Sequence, residues 1–192
     1  AASLSGRPRV ALPLFRELAN SKSGRFQTLA PGKIADCLWA LGRIDEARKA
    51  YERLLAARTY TGDRAVALDR VAEAHAKAGR PGRAIAAWRT LAVEEPLHPL
   101  AARAGSRLAG LGHPLSPHDR LARAETMSKA RGWDEALAEL ALLGEELPLE
   151  LRTLKDFWTG ETLFKMRRQY ARAGELLVGV HARMGSKAAQ AL

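Results

Sequence analysis

Residues 41–55 read "LGRIDEARKAYERLL": a glycine, a cation, a branched hydrophobe, an Asp-Glu pair, a small Ala47 and, one helical turn later, a bulky Tyr51. A glycine just past an apolar stretch is a favoured helix stop, because the left-handed conformation there brings no Cβ clash. An Asp-Glu pair suits the positive end of a following helix. The stretch therefore reads as the corner of a helical hairpin, and whether that corner recurs decides the fold. It recurs three times. "AGRPGRAIAAWRTLA" sets Ala84 and Trp88 at the same phase, "ARGWDEALAELALLG" sets Ala136 and Leu140, and "RRQYARAGELLVGV" sets Ala173 and Leu177. Residues four apart share a helix face, so each alanine admits a close neighbour helix and its large partner fills the groove beside it.

The helices ahead of these corners agree. "GDRAVALDRVAEAHAKAG" places Val66, Leu68, Val71, Ala72 and His75 on one side and ends at Gly79, with an N-cap oxygen from Thr61 to Asp63. "LSPHDRLARAETMSKARG" opens with Ser116, Pro117 and Asp119 and ends at Gly132. "LPLELRTLKDFWTGETLFKM" presents Leu151, Leu154, Phe157, Trp158, Leu163 and Phe164 as a wide apolar stripe. Anchor spacings are 37, 52 and 37 residues, and the long one leaves room for an extra helix from Pro99 to Gly110. The expected helices are 8–19, 32–41, 44–57, 63–78, 82–94, 99–110, 117–131, 134–146, 149–167 and 170–184, with residues 20–31, "NSKSGRFQTLAP", as a flexible loop.

Composition points the same way. Ala, Leu, Arg and Glu fill the intervals while β-branched residues are sparse, which favours helix over sheet. The fold class expected is all-α: a right-handed α-solenoid of stacked helix pairs, about ten helices, in one domain over residues 1–192. The corners resemble the tetratricopeptide repeat. Gly42, Asp45, Glu46, Ala47 and Tyr51 match its second helix, as do Gly79, Ala84, Trp88 and Pro96, although the first-helix tryptophan and glycine of that family are missing.

Formal charge is +10, with 31 Lys and Arg against 21 Asp and Glu, which suits a polyanion partner such as nucleic acid, anionic lipid or an acidic polymer. The cations are spread singly along most helices, as in Arg43, Arg48, Arg53, Arg58, Arg64 and Arg70, so a solvated face explains most of them. The densest group, Lys165, Arg167, Arg168 and Arg172, is the candidate anion or partner site. Aromatic rings do not interleave it, so no specific nucleic-acid platform is expected. Cys37 is the sole cysteine and sits in apolar "IADCLWAL", which excludes an internal disulfide and favours a buried, inert thiol. No stretch approaches the apolar length of a membrane span, and the first residues lack the pattern of a signal peptide.

Chemistry is sparse. His98, His113 and His118 lie at helix junctions beside prolines without zinc-site spacing, and His75 falls on an apolar face, so capping and packing are the expected roles. The pairs Glu94-Glu95 and Glu145-Glu146, and Glu161, carry no sign of the held carboxylate couple a glycosidase needs. Neither a nucleophile elbow nor a phosphate-binding glycine loop occurs. No catalytic centre, cofactor or metal is expected.

A narrower resemblance covers about residues 60–180. "RAVALDRVAEAHAKAGRPGRAIAAWRTLAVEEPLHPLAARAGSRLAGLG", then "LSPHDRLARAETMSKARGWDEALAEL" and "LPLELRTLKDFWTGETLFKMRRQYARAGELL", resembles the helical superhelix of soluble lytic murein transglycosylases. The shared features are an aromatic-bearing repeat, a P-x-H-P-x-A helix and a final Arg-Arg-x-Tyr-x-x-Ala. That likeness implies a bacterial periplasmic scaffold acting on peptidoglycan, noncatalytic in itself and part of a longer chain. The Glu-Ser of the family's lysozyme-like domain is absent, so its activity maps to no residue here. The alternative is a general adaptor that holds a peptide or helix of a protein partner in its concave groove, with the cytoplasm as the alternative location.

Overall fold

A computed structural model describes residues 6–57, 60, 62–144 and 146–184; Arg58, Thr61 and Glu145 lie outside them. The described residues form ten helices and no strand: Pro8–Ala19 (α1), Gly24–Ala40 (α2), Ile44–Ala56 (α3), Arg64–Lys77 (α4), Pro81–Glu94 (α5), Pro99–Gly110 (α6), Pro117–Lys129 (α7), Trp133–Ala141 (α8), Leu149–Lys165 (α9) and Tyr170–Met184 (α10). They group into two compact units, Ala1–Leu91 and Ala92–Leu192.

The corner motif has a common backbone. After α2, Gly42 adopts φ 74°, its N–H donates to the Trp39 carbonyl and the Arg43 N–H donates to Leu38, each at 3.0 Å. This is the Schellman cap, which satisfies two of the carbonyls a helix end leaves open. The same paired bonds close α4 at Gly79, α6 at Gly112, α7 at Arg131 and α9 at Arg167. Arg131, at φ 67°, is the left-handed residue in place of the expected Gly132, which opens the next helix at φ −79°. In three hairpins the left-handed residue stands five positions before the buried alanine. The last hairpin inserts one more residue, with Gln169 also left-handed at φ 50°. All four anchor alanines are buried, as are Tyr51, Trp88 and Leu140, while Leu177 is half-buried.

In the first unit α1 packs on α2, α2 on α3 and α3 on α4. The core joins Ala11 and Leu12 of α1, Ala35, Cys37 and Leu38 of α2, Ala47 and Tyr51 of α3, and Ala67 and Val71 of α4. Residues 24–31, expected in a loop, are the first two turns of α2, and the connection shrinks to 20–23. Pro31 lies inside the helix, where it removes one backbone bond. Burial of Ala30, Ala35, Cys37 and Leu38 along the same helix outweighs that loss. The side chains of Thr28 and Gln27 bond the carbonyls of Gly24 and Ser21, each at 2.9 Å. As expected, Asp63 caps α4, accepting from the Val66 N–H at 3.0 Å.

In the second unit α8 packs on α7, α9 on both of them, and α10 on α9. Leu121, Ala124, Leu140, Leu143 and Leu151 form its core with Leu147 and Trp158 at the edge. Ser116 and Asp119 form the expected reciprocal cap of α7, and the His98 ring accepts from the Leu100 N–H at 3.2 Å to cap α6. Helix α8 stops at Ala141, short of the expected 146. Leu143 turns inward, and its carbonyl accepts from Lys155 Nζ at 2.8 Å. The stripe expected on α9 is only partly apolar contact: Leu154 and Phe164 are exposed, while Thr153, Gly160 and Thr162 are buried. Thr162 donates to Ser128 at 3.0 Å, joining α9 to α7. Gly160 lets α10 come close, since a Cβ there would sit 3.0 Å from Leu177 Cγ and 3.2 Å from the Ala173 carbonyl oxygen.

Candidate functional site: a polar node in an apolar groove

Tyr51, placed on α3 by the small-then-large spacing, buries its ring and must find a partner for its hydroxyl. It donates to Asp36 Oδ1 of α2 at 2.8 Å. Arg70 of α4 reaches the same oxygen at 2.6 Å and also donates to the Tyr51 hydroxyl. The Arg70 guanidinium lies 5.7 Å over the Trp39 ring and 5.5 Å over the Tyr51 ring. Three helices are thus tied at one charged, half-buried point. Burial, reinforced by the Asp36 carboxylate, pushes the Tyr51 phenol well above its ordinary pKa, so it stays a donor.

The node borders two adjoining concavities of the first unit. One, of about 600 Å³, is lined mainly by Phe15, Leu18, Phe26, Leu29 and Ala30, with Lys33, Asp36 and Arg70 as its polar edge. The other, of about 320 Å³, shares Leu29, Lys33, Asp36 and Arg70 and adds Tyr51 and Tyr60. An apolar floor with a few convergent polar groups is the ordinary form of a binding site. Cys37 borders the first concavity as a buried thiol, its pKa raised by burial and then by Asp36.

A second network lies deeper. Arg48 donates to both Glu52 oxygens at 2.9 and 2.7 Å, and His75 Nε2 stands 3.0 Å from Glu52. Burial lowers the His75 pKa against the upward pull of Glu52, and the ring is a packed core histidine. In the second unit the buried Glu139 plays the same part for Arg120 at 2.8 Å and Arg123 at 3.3 Å.

The four residues expected as an anion site lie in and around the corner between α9 and α10. Lys165 pairs with Glu161 at 2.8 Å, Arg168 lies 3.8 Å from Asp134, and Arg167 supplies the left-handed cap. Arg172 is exposed and lines a concavity of about 490 Å³ with Lys155 and Asp156. Among the described residues no group of three His, Cys, Asp or Glu could hold a metal, and no helix is long and apolar enough to cross a membrane.

Sequence reasoning singled out Tyr51 but missed Asp36 and Arg70. A signal was present: Asp36 is a lone carboxylate inside "IADCLWAL", and a charge on an apolar face implies a partner. Charge is also unequal between the units. Residues 1–91 carry 17 Lys and Arg against 8 Asp and Glu, and residues 92–192 carry 14 against 13, so nearly all the excess sits on the first unit.

These features define an all-helical protein of hairpins closed by left-handed corners, with a concave site in its first unit. No family model matches the chain, and no curated protein matches it in sequence. Among solved structures it is similar to a Podosopora anserina protein with nearly identical TPR-like repeats, described as a putative kinesin light chain. That likeness has a TM-score of 0.40 and 16% identity over 97% of this chain and 92% of the other. A singly substituted form of the same protein scores 0.40 at 17% identity over 96% and 91%.

Proposed function

We propose that this chain is a binding module for a protein partner, and that the concave site of its first unit takes a segment of that partner. The observation that carries the reading is the join of an apolar floor, Phe15, Leu18, Phe26 and Leu29, to a preset cation, Arg70. Arg70 is held by Asp36, Tyr51 and two aromatic faces before any ligand arrives, which reduces the ordering cost of binding. The role is positioning, with no reaction step assigned to any residue. Panning a random peptide library on the full chain tests this. Saturable, sequence-dependent binding is expected, and absence of any enriched peptide sinks the reading.

The excess of positive charge favours a second reading, in which the chain is the periplasmic scaffold of a cell-wall glycan-cleaving protein and its surface meets an anionic wall polymer. Retention on purified murein that weakens with salt supports it. Failure to be retained at low ionic strength removes it.

A further inference from the structure

We infer that the occupant of the groove beside α1 and α2 is an acidic amphipathic helix from a partner protein. The inference rests on the binding reading above and adds the chemistry of the ligand.

Both helices bury one side in the core and keep a second apolar side in solvent. On α1, the half-buried Phe15 and Leu18 stand at helical spacing and line the groove. On α2, Phe26 and Leu29 are 43% and 44% exposed at helical spacing. Side chains three and four apart form ridges, and two neighbouring ridges leave a furrow that a third helix fills with its own apolar row. An amphipathic helix laid with its apolar side in such a groove is a recurring mode of peptide recognition, which gives the ligand its shape.

Charge selects its sign. At the groove Lys33 and Arg70 stand against Asp36, which bonds Tyr51 and Arg70 and lies 3.6 Å from Lys33, and the wider stretch 7–40 adds five exposed cations, Arg7, Arg9, Arg16, Lys22 and Arg25, against Glu17. A helix with Leu or Phe facing the furrow and Asp or Glu on its flanks meets both features, and the field of the first unit draws it in. Nucleic acid fits less well. Its phosphates want cations on the floor of the site, and here the floor is aliphatic and aromatic.

The test uses the full chain and the peptides enriched in the panning experiment. Expected winners carry net negative charge with apolar residues three and four apart, and gain helical circular dichroism when bound. Their affinity is expected to fall about tenfold in Phe26→Ala, from lost apolar contact. Lys33→Glu is expected to cost about threefold at low salt and less as salt rises. Both residues are exposed, and unchanged circular dichroism of the free variants confirms that they fold. Winners that are neutral or basic, or that ignore Phe26→Ala, overturn this inference while leaving the binding reading in place. No winner at all removes both. Displacement of the peptides by oligothymidylate would assign the surface to nucleic acid. A dimer in sedimentation that Phe26→Ala dissolves would assign it to a second copy, and either result overturns the inference.

Discussion

The corner at Arg131 permits a test with a worked magnitude. Its backbone sits at φ 67° with the same paired bonds that close Gly42 and Gly79, and its side chain is exposed. A non-glycine residue in the left-handed region costs about 1–2 kcal/mol, through the approach of Cβ to the neighbouring carbonyl oxygen. Glycine removes that cost and returns part of it, about 0.5–1 kcal/mol, through the greater freedom of the unfolded chain. Arg131→Gly should therefore stabilise the protein by about 0.5–1 kcal/mol. Gly79→Ala, imposing the strain on an unstrained corner, should cost about 1 kcal/mol. Urea titrations read the difference as a shift of midpoint at constant slope. Trp133 and Trp158 report the second unit, and Trp39 and Trp88 the first, so each change should move its own unit's signal. An Arg131→Gly protein no more stable than the parent would refute the claim that the corner is defined by its backbone.

Four further outcomes follow from the packing. Tyr51→Phe removes a hydroxyl bonded to two charged groups and should lower stability by about 1.5–3 kcal/mol in denaturant titration. In spectrophotometric titration the absorbance step from Tyr51 should fall above that of a free phenol. The unfolded phenol ionises first, so its contribution to stability is intact below about pH 10 and is lost as pH rises beyond it. His75 has the opposite sign. Its folded pKa is lowered, the unfolded state binds the proton more readily, and its contribution holds above about pH 6.5 and is lost on acidification. His75→Gln should flatten that part of the stability profile. Gly160→Ala brings a methyl to 3.0 Å from Leu177 and 3.2 Å from a backbone oxygen. Despite the better helix propensity of alanine, thermal melts should show a net loss of about 1–2 kcal/mol.

Much of this protein was readable because helix starts, stops and faces are encoded by residues three to five apart. The repeat of small then large at Ala47 and Tyr51, the Ser116 and Asp119 cap and the burial of the four anchor alanines all follow from such neighbours. What local spacing could not settle is where two plausible stops compete and what lies across the fold. Chain geometry passed over Gly132 and put Arg131 in the left-handed corner, five residues before the buried Ala136, the same offset as Gly42 to Ala47 and Gly79 to Ala84. Core contact carried α2 through Pro31, where propensity favours an end. Density of cations in sequence suggested one site at Lys165, Arg167, Arg168 and Arg172, and only the tertiary structure shows the acidic neighbours of two of them, Glu161 for Lys165 and Asp134 for Arg168. Asp36, Tyr51 and Arg70 are 15 and 19 residues apart in sequence, and only the packing of α2, α3 and α4 brings them to one point. A buried hydroxyl or carboxylate reveals that it needs a partner, but the partner's address belongs to the tertiary fold.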